Sequence, residues 1–180
     1  QGLGRIQEAI QAYEEVLSIN PEDQWTARTV ELLSRPLEEE IPHPLLHSLG
    51  GEIALLGYDL SPGTVEAGGT LDLALWWQAL ANMNRDYTTF IHLTGSDGRI
   101  WAQEDTLLLD GQRPTSGWLL GEVVKSNLQL QVPGDVPPGE YTVNVGLYYW
   151  ETRERLPVWD ENGERVADDA ILLGPAILAD

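Results

Sequence analysis

The first forty residues carry apolar side chains at helical spacing. Between residues 4 and 23 they recur every three or four positions, which predicts an amphipathic helix. The positions are Ile6, Ala9, Ile10, Tyr13, Val16 and Leu17. Asn20 and Pro21 then begin a second amphipathic segment. Pro36 ends that segment, because a residue before proline is pushed out of the helical region. The pattern predicts a helical hairpin over residues 1–40.

From Glu52 onward the period falls from about 3.6 residues to about 2, which is typical of β-strands. The alternating segments are TLDLALWWQAL, NLQLQV, EYTVNVGLYY and FIHLTGSDGRIWAQ. In the last of these, Ser96-Asp97-Gly98 marks a hairpin turn. Pro and Gly separate the other runs. About seven or eight short strands with turns between them predict an antiparallel β-sandwich, Ig-like or jelly-roll-like.

The two patterns together predict an α+β chain with an uneven division. The helical hairpin takes residues 1–40, a Pro- and Gly-rich linker takes residues 41–51, and the β-sandwich takes residues 52–180. With 180 residues, the chain is long enough to bury a core without cross-links. It has no cysteine, which excludes disulfides and thiolate metal sites.

The charge balance is strongly acidic. Twenty-nine Asp and Glu against 10 Lys and Arg give a formal net charge of −19. Such a surface argues against nucleic-acid binding, which needs clustered basic residues. No apolar run approaches the roughly 18 residues of a membrane-spanning helix. The chain starts at Gln1 without Met, so we expect a fragment or processed product. We also expect an extracytoplasmic or cell-surface location, for which the sequence itself carries no signal.

Two segments resemble known families. In the first segment, Gly4, Ala9, Tyr13 and Pro21 fall at the positions of a tetratricopeptide repeat (TPR) entered midway. Residues about 53 to 178 resemble a module at the C-termini of bacterial membrane glycosyltransferase-like proteins with tetratricopeptide segments. The segments that carry this second resemblance are LGYDL, LALWWQAL, DYTTFIHL, RPTSGWLLGEVV and PPGEYTVNVGLYYWETRERLPV. The resemblance implies an architecture and supplies no catalytic residues.

Candidate chemistry in the sequence is sparse. His43 and His47 have the i, i+4 spacing of two helical metal ligands, but Pro42 and Pro44 oppose a helix and no third ligand is evident. Acidic residues cluster near turns, and carboxylates about 5 to 9 Å apart could hydrolyse a glycosidic bond. With 29 acidic residues such clusters also arise by chance. We therefore predict no catalytic residues, no cofactor and no metal site, and leave calcium at the acidic turns open.

The aromatic residues are more informative, since seven tryptophans accompany a single Phe. Trp77 shares the apolar face of its strand, so its neighbour Trp76 points to the opposite face. Exposed rings beside polar side chains can stack on sugars; the alternative is that they pack under the helical segment, a loop or a neighbouring subunit. The candidate ligand-binding residues are Trp76, Trp101, Trp118, Tyr148 and Trp150.

Three functional classes follow, in descending order. The first is a non-catalytic structural, assembly or protein-interaction module of a larger bacterial protein. In that case the helical stripe would contact a protein partner or a second copy through Ile6, Ile10, Tyr13 and Leu17. The alternative is a carbohydrate-binding β-sandwich that uses its surface aromatic residues. An enzyme is a distant third, because no residues with catalytic spacing are present.

Overall fold

The computed structural model describes residue 15, residues 17–22, residue 27 and residues 41–179. Residues 41–179 form eleven strands and three short 3-10 turns, and the described residues 15, 17–19 and 27 are helical. The strands are β1 His43–Leu49, β2 Ile53–Ser61, β3 Thr64–Glu66, β4 Thr70–Ala79, β5 Tyr87–Thr94, β6 Ile100–Leu107, β7 Val123–Gln131, β8 Gly139–Tyr149, β9 Glu154–Arg155, β10 Val158–Trp159 and β11 Ile171–Ala179. The 3-10 turns are Leu108–Gly111, Thr115–Gly117 and Ala167–Asp169.

The strands form two sheets. Sheet one has the order β10-β1-β2-β4-β7, and sheet two has the order β3-β11-β8-β5-β6, with β9 paired to β8. All pairs are antiparallel except β3 with β11. The prediction of a mainly antiparallel β-sandwich is confirmed.

The core lies between the two sheets and follows from the period-2 pattern. On β4, Leu71, Leu73, Leu75 and Trp77 are buried in one core cluster. On β8 the same cluster takes every second residue, as the alternation predicts; the residues are Tyr141, Val143, Val145 and Leu147. The expected hairpin joins β5 to β6, where Gly98 takes the left-handed conformation and its N–H donates to the Gly95 carbonyl. The sequence therefore predicted these inward faces correctly.

The predicted linker over residues 41–51 contains a strand. β1 pairs with β2 along its length and with β10 through Ser48 and Leu49. Pro42 and Pro44 oppose a helix, but proline is compatible with the start of a strand or with a bulge. Here the register shifts between Pro44 and His47, so the strand tolerates the proline at an irregular position.

The tetratricopeptide prediction is wrong, the α+β class is not confirmed, and the helical hairpin predicted over residues 1–40 falls mostly outside the described residues. The described residues are almost entirely β-structure, and no helical repeat occurs among them. Of the predicted interface, Ile6, Ile10 and Tyr13 lie outside the described residues, whereas Leu17 is half-buried. An amphipathic stripe predicts a helix with one covered face, but it does not specify that the cover is a second helix of a repeat.

Candidate functional site

A polar groove of about 580 Å³ crosses the outer face of sheet one. Its floor belongs to β2, β4 and β7, and Glu104 and Thr106 of β6 line one side. The other lining residues are Asp59, Ser61, Asp72, Leu73, Ala74, Lys125, Asn127, Leu128 and Gln129. We call this the sheet-one groove.

Strand register arranges the polar residues of the groove in rows across the sheet. One row is Ser61, Asp72 and Gln129, and the next is Asp59, Ala74 and Asn127. Side chains in register on neighbouring strands lie side by side. Because the Ala74 side chain is small, the middle of the second row lies lower than its two ends, which are the Asp59 carboxylate and the Asn127 amide. The rows therefore form a shallow trough with polar walls.

The amides on β7 are held by cross-strand hydrogen bonds. The Gln129 amide Nε2 donates to Asp72 Oδ1 at 2.8 Å, and the Gln131 Nε2 donates to Thr70 Oγ1 at 2.6 Å. Each bond fixes which end of the amide group is the nitrogen, and so leaves the carbonyl oxygen as an acceptor. Gln129 thus presents its carbonyl oxygen to the groove in an orientation that is set before a ligand arrives, whereas Gln131 lies beyond the groove.

Trp76 lies in the third row, next to Gly57 on β2 and Lys125 on β7. As predicted, its side chain is on the opposite face from Trp77, outside the core cluster. Even so, Trp76 is only 5% exposed, and the Lys125 ammonium lies 4.6 Å from its ring centroid in a cation–π contact. A ligand could stack on Trp76 only after Lys125 moves.

The structure does not gather the other predicted aromatic residues into one surface. Trp118 is 3% exposed and belongs to the core, where its Nε1–H donates to the Arg113 carbonyl at 3.1 Å. Trp101 is half-buried edge-on to Tyr141, with the Arg99 guanidinium 3.7 Å over its ring. Trp150, at 56% exposure, follows β8.

Tyr148 lies elsewhere again, on the outer face of sheet two beside Phe90 and Asp105. The five candidates thus do not share one surface, and of these five only Trp76 adjoins the sheet-one groove. Sequence reasoning missed the polar residues of that groove. Part of their signal was present in NLQ, where the outward positions Asn127 and Gln129 are both amides.

Several carboxylates of the acidic turns have structural partners. Asp160 Oδ1 accepts the backbone N–H groups of Asn162 and Glu164, at 2.9 and 2.8 Å. The bond from Glu164 is the largest cause of the lowered pKa of Asp160. Asp169 accepts from the Arg165 guanidinium and from the Val158 N–H, and Arg165 is the largest cause of its lowered pKa. These carboxylates stabilise turns in the fold.

His43 and His47 do not form a metal centre with neighbouring acids. The His43 ring stacks on Tyr58 with centroids 4.9 Å apart, and the buried His47 Nδ1 has no hydrogen-bond partner in residues 41–179. Across the described part of the chain, no group of three or more His, Asp and Glu could hold a metal ion. The same residues contain no helix long and apolar enough to cross a membrane.

Burial of His47 makes stability dependent on pH. Burial lowers the pKa of this imidazole below its ordinary value, against the opposite effect of Asp160 and Glu161. Below about pH 6.5 the unfolded chain therefore takes up a proton that the folded chain resists, and stability falls as pH falls. We expect the melting temperature to drop between about pH 7.5 and about pH 5.5, and the drop to be smaller in His47→Gln.

The control for this experiment is His43→Gln, because His43 is exposed on the same strand. It should leave the pH dependence of the melting temperature as in the unaltered chain. Equal drops in the His47→Gln variant and the unaltered chain would show that His47 does not contribute.

Comparison with known proteins supports the fold. No protein-family model and no curated protein matches the chain. The crystal structure of the C-terminal domain of Wzt is similar, with a TM-score of 0.55 and 15% identity over 81% of this chain and 90% of that chain.

Two further β-domains align less well. One is a Niemann-Pick type C2 protein from Japanese carpenter ant, with a TM-score of 0.43 and 6% identity over 79% of this chain and 100% of that chain. The other is the CARDB domain of a Pyrococcus furiosus protein, with a TM-score of 0.38 and 11% identity over 81% and 100%.

The likeness to the Wzt domain concerns the architecture alone, since only 15% of the aligned residues are identical. The tetratricopeptide part of the predicted resemblance is wrong, because the described residues form a β-sandwich of this architecture and contain no helical repeat. The chain is a β-sandwich domain with the fold of the Wzt C-terminal domain.

Proposed function

We propose that this domain is a non-catalytic binding module that holds a saccharide in the sheet-one groove. The observation that carries the proposal is the set of polar rows across β2, β4 and β7. A sugar hydroxyl both donates and accepts hydrogen bonds, so it pairs equally well with carboxylates and amides. Asp59, Asp72, Asn127 and Gln129 supply both kinds of partner on one face.

The dimensions of the groove fit this class of ligand. A volume of about 580 Å³ lies within the range of about 300–1,000 Å³ that small-molecule sites occupy. The groove is open along one side of the sheet, so a chain of sugar units could lie in it with its ends outside. Trp76 is 5% exposed below Lys125, so it adds an apolar face for a sugar ring only when Lys125 moves.

The non-catalytic part of the proposal rests on the openness of the groove. Glycoside hydrolysis needs one carboxylic acid kept protonated by a water-excluded environment beside an ionised one. Asp72 and Glu104 are exposed, and the Gln129 amide donates to Asp72. Purified protein should therefore release no product from a panel of chromogenic glycosides. Product formation that is lost in Asp72→Asn would contradict this part.

The binding experiment begins with a glycan array and continues with calorimetry on the glycans that bind. Asn127→Ala and Gln129→Ala each remove one neutral hydrogen-bonding side chain, worth about 0.5–1.5 kcal/mol. We expect each substitution to weaken binding by about two- to tenfold without lowering the melting temperature, because both side chains line the solvent-exposed groove.

Gln131→Ala is the matched control. Gln131 lies on the same strand and the same face, two residues beyond Gln129, and does not line the groove. It should bind as tightly as the unaltered chain. Absence of any bound glycan, or equal weakening by Gln131→Ala and Gln129→Ala, would overturn the proposal.

The described residues do not support a protein interaction through the helical segment, because most of that segment lies outside them, and the candidate aromatic residues do not form one surface. The extracytoplasmic location stays a prediction. A saccharide ligand is consistent with that location.

A further inference from the structure

A second, smaller cleft lies on the outer face of sheet two, on the other side of the sandwich from the sheet-one groove. Its volume is about 160 Å³. The lining residues are Phe90, His92, Asp105, Tyr148, Arg153 and Arg155. It combines an aromatic floor with two guanidinium groups, although the whole chain has a net charge of −19.

The floor holds Arg155 in place. Phe90 is only 2% exposed, and Gly146 on the neighbouring strand leaves room for its ring. The Arg155 guanidinium lies 4.2 Å over that ring, and its Nη1 donates to the Asp168 carbonyl at 2.7 Å. One edge of the guanidinium is thus fixed by the protein, while its other N–H groups remain as donors.

Arg153 reaches the same cleft from the β8–β9 turn. Its backbone is in the left-handed region at φ 60°, and its N–H donates to the Tyr149 carbonyl at 2.8 Å. A non-glycine residue holds this conformation at a cost, which the surrounding turn must offset. The conformation brings Nη1 of Arg153 to 3.5 Å from the Tyr148 hydroxyl.

The charges in the cleft leave a positive excess. Two guanidinium groups and one carboxylate line the cleft, and that carboxylate, of Asp105, accepts a hydrogen bond from the Tyr148 hydroxyl at 3.3 Å. The Asp169 carboxylate also interacts with Arg155, but it is paired with Arg165. Burial and then the positive charge of Arg155 lower the pKa of His92, although Asp105 acts in the opposite direction. The imidazole is therefore neutral near pH 7, and the excess charge belongs to the two arginines.

We propose that this cleft binds a small oxyanion, the phosphate or carboxylate group of a ligand, between Arg153 and Arg155. Arginine is the side chain best suited to such groups, because its planar fork of donors matches two oxygens at once. The cleft is large enough for one such group and too small for a sugar chain. The Asp105 carboxylate competes with the ligand for the two guanidinium groups, since it offers them the same kind of oxygen acceptors.

The site does not rest on the proposed saccharide function. Both sites take residues from β6, but the cleft uses Asp105 and the groove uses Glu104 and Thr106, which point to the opposite face of that strand. A failure of one proposal therefore leaves the other unaffected. The probes are inorganic phosphate for the phosphate group and glucuronate for the carboxylate, with glucose as the neutral analogue of glucuronate. Binding is followed by NMR shifts of the backbone amides at constant ionic strength.

Shifts that saturate with phosphate or glucuronate, centred on residues 148–155 and absent with glucose, are expected. Arg155→Gln and Arg153→Gln should each weaken binding about tenfold, because each removes a charged hydrogen-bond donor. Asp105→Asn should tighten binding about threefold or more, because it removes the competing charge at an exposed position. The ligand whose shifts saturate at lower concentration identifies the oxyanion class.

Arg99→Gln provides the matched control. It removes the same charge at the β5–β6 turn, where Arg99 lies over Trp101, and should leave binding unchanged. Equal weakening by Arg99→Gln and Arg155→Gln would show only a general charge effect and would overturn the proposal. So would shifts that do not saturate, or Asp105→Asn binding no more tightly than the unaltered chain.

Discussion

Trp77→Ala is expected to lower the free energy of unfolding by about 3–5 kcal/mol, the usual cost of truncating a buried Trp or Phe. Trp77, near the end of β4, is 0% exposed. Its Nε1–H donates to the Ser126 hydroxyl of β7 at 3.0 Å, and Ser126 is itself fully buried. The substitution therefore leaves a cavity and also a buried hydroxyl without its partner.

Urea unfolding of the variant and of the unaltered chain gives the difference. Trp150→Ala is the matched control, because it truncates the same side chain at 56% exposure and should change stability by less than about 0.5 kcal/mol. Trp77→Phe should fall between the two, since it keeps an aromatic ring and loses only the indole N–H and part of the volume. Similar losses for Trp77→Ala and Trp150→Ala would contradict the assignment of Trp77 to the core.

Trp77 also shows how much of the fold the sequence could predict. The alternation along β4 distinguishes its inward face from its outward face, because side chains of a strand alternate strictly. Leu71, Leu73 and Leu75 follow the same rule and are buried. This local regularity was enough for the sandwich class and for the hairpin between β5 and β6.

Features that depend on distant parts of the chain could not be predicted in this way. Trp76 was correctly placed on the outer face, but alternation does not reveal that Lys125, on another strand, covers its ring. Trp118 follows a loop and yet belongs to the core, because the 3-10 turn Thr115–Gly117 directs the chain back toward β5. The Thr115 hydroxyl holds this turn in place, since it accepts a hydrogen bond from the Tyr87 N–H and donates one to the Arg85 carbonyl.

The rows of the sheet-one groove depend on register, which the sequence pattern does not encode. Asp59, Ala74 and Asn127 come from three strands and meet because β4 pairs with both β2 and β7. A one-residue slip would turn each outward side chain inward, so burial fixes the parity of the register. It does not fix the register itself, which here also includes a shift between Leu55 and Gly57. The sequence showed that the outward face is polar, but it did not show which side chains share a row.

The cleft on sheet two requires a residue without a side chain, which leads to the second large effect. We expect Gly146→Ala to lower the free energy of unfolding by about 3 kcal/mol, at the upper end of the usual cost of overpacking. A Cβ at this position would lie 2.5 Å from Phe90 Cζ and 2.9 Å from the Asp169 carbonyl oxygen. The ring is buried and the carbonyl belongs to the backbone, so neither can move freely.

The opposing effect is smaller. Alanine in place of glycine reduces the entropy lost on folding and can contribute about 0.4–1 kcal/mol to stability where no clash occurs. Gly134→Ala isolates that gain, because a Cβ there would meet no atom within 4 Å. We expect Gly134→Ala to leave the urea midpoint unchanged or slightly raised, and Gly146→Ala to lower it clearly.

Since Arg155 rests on the Phe90 ring, the Gly146 variant should also lose most of its phosphate-dependent NMR shifts. Equal midpoints for the two variants would mean that Phe90 does not need the space that Gly146 leaves, and that the aromatic floor of the cleft is not held as described.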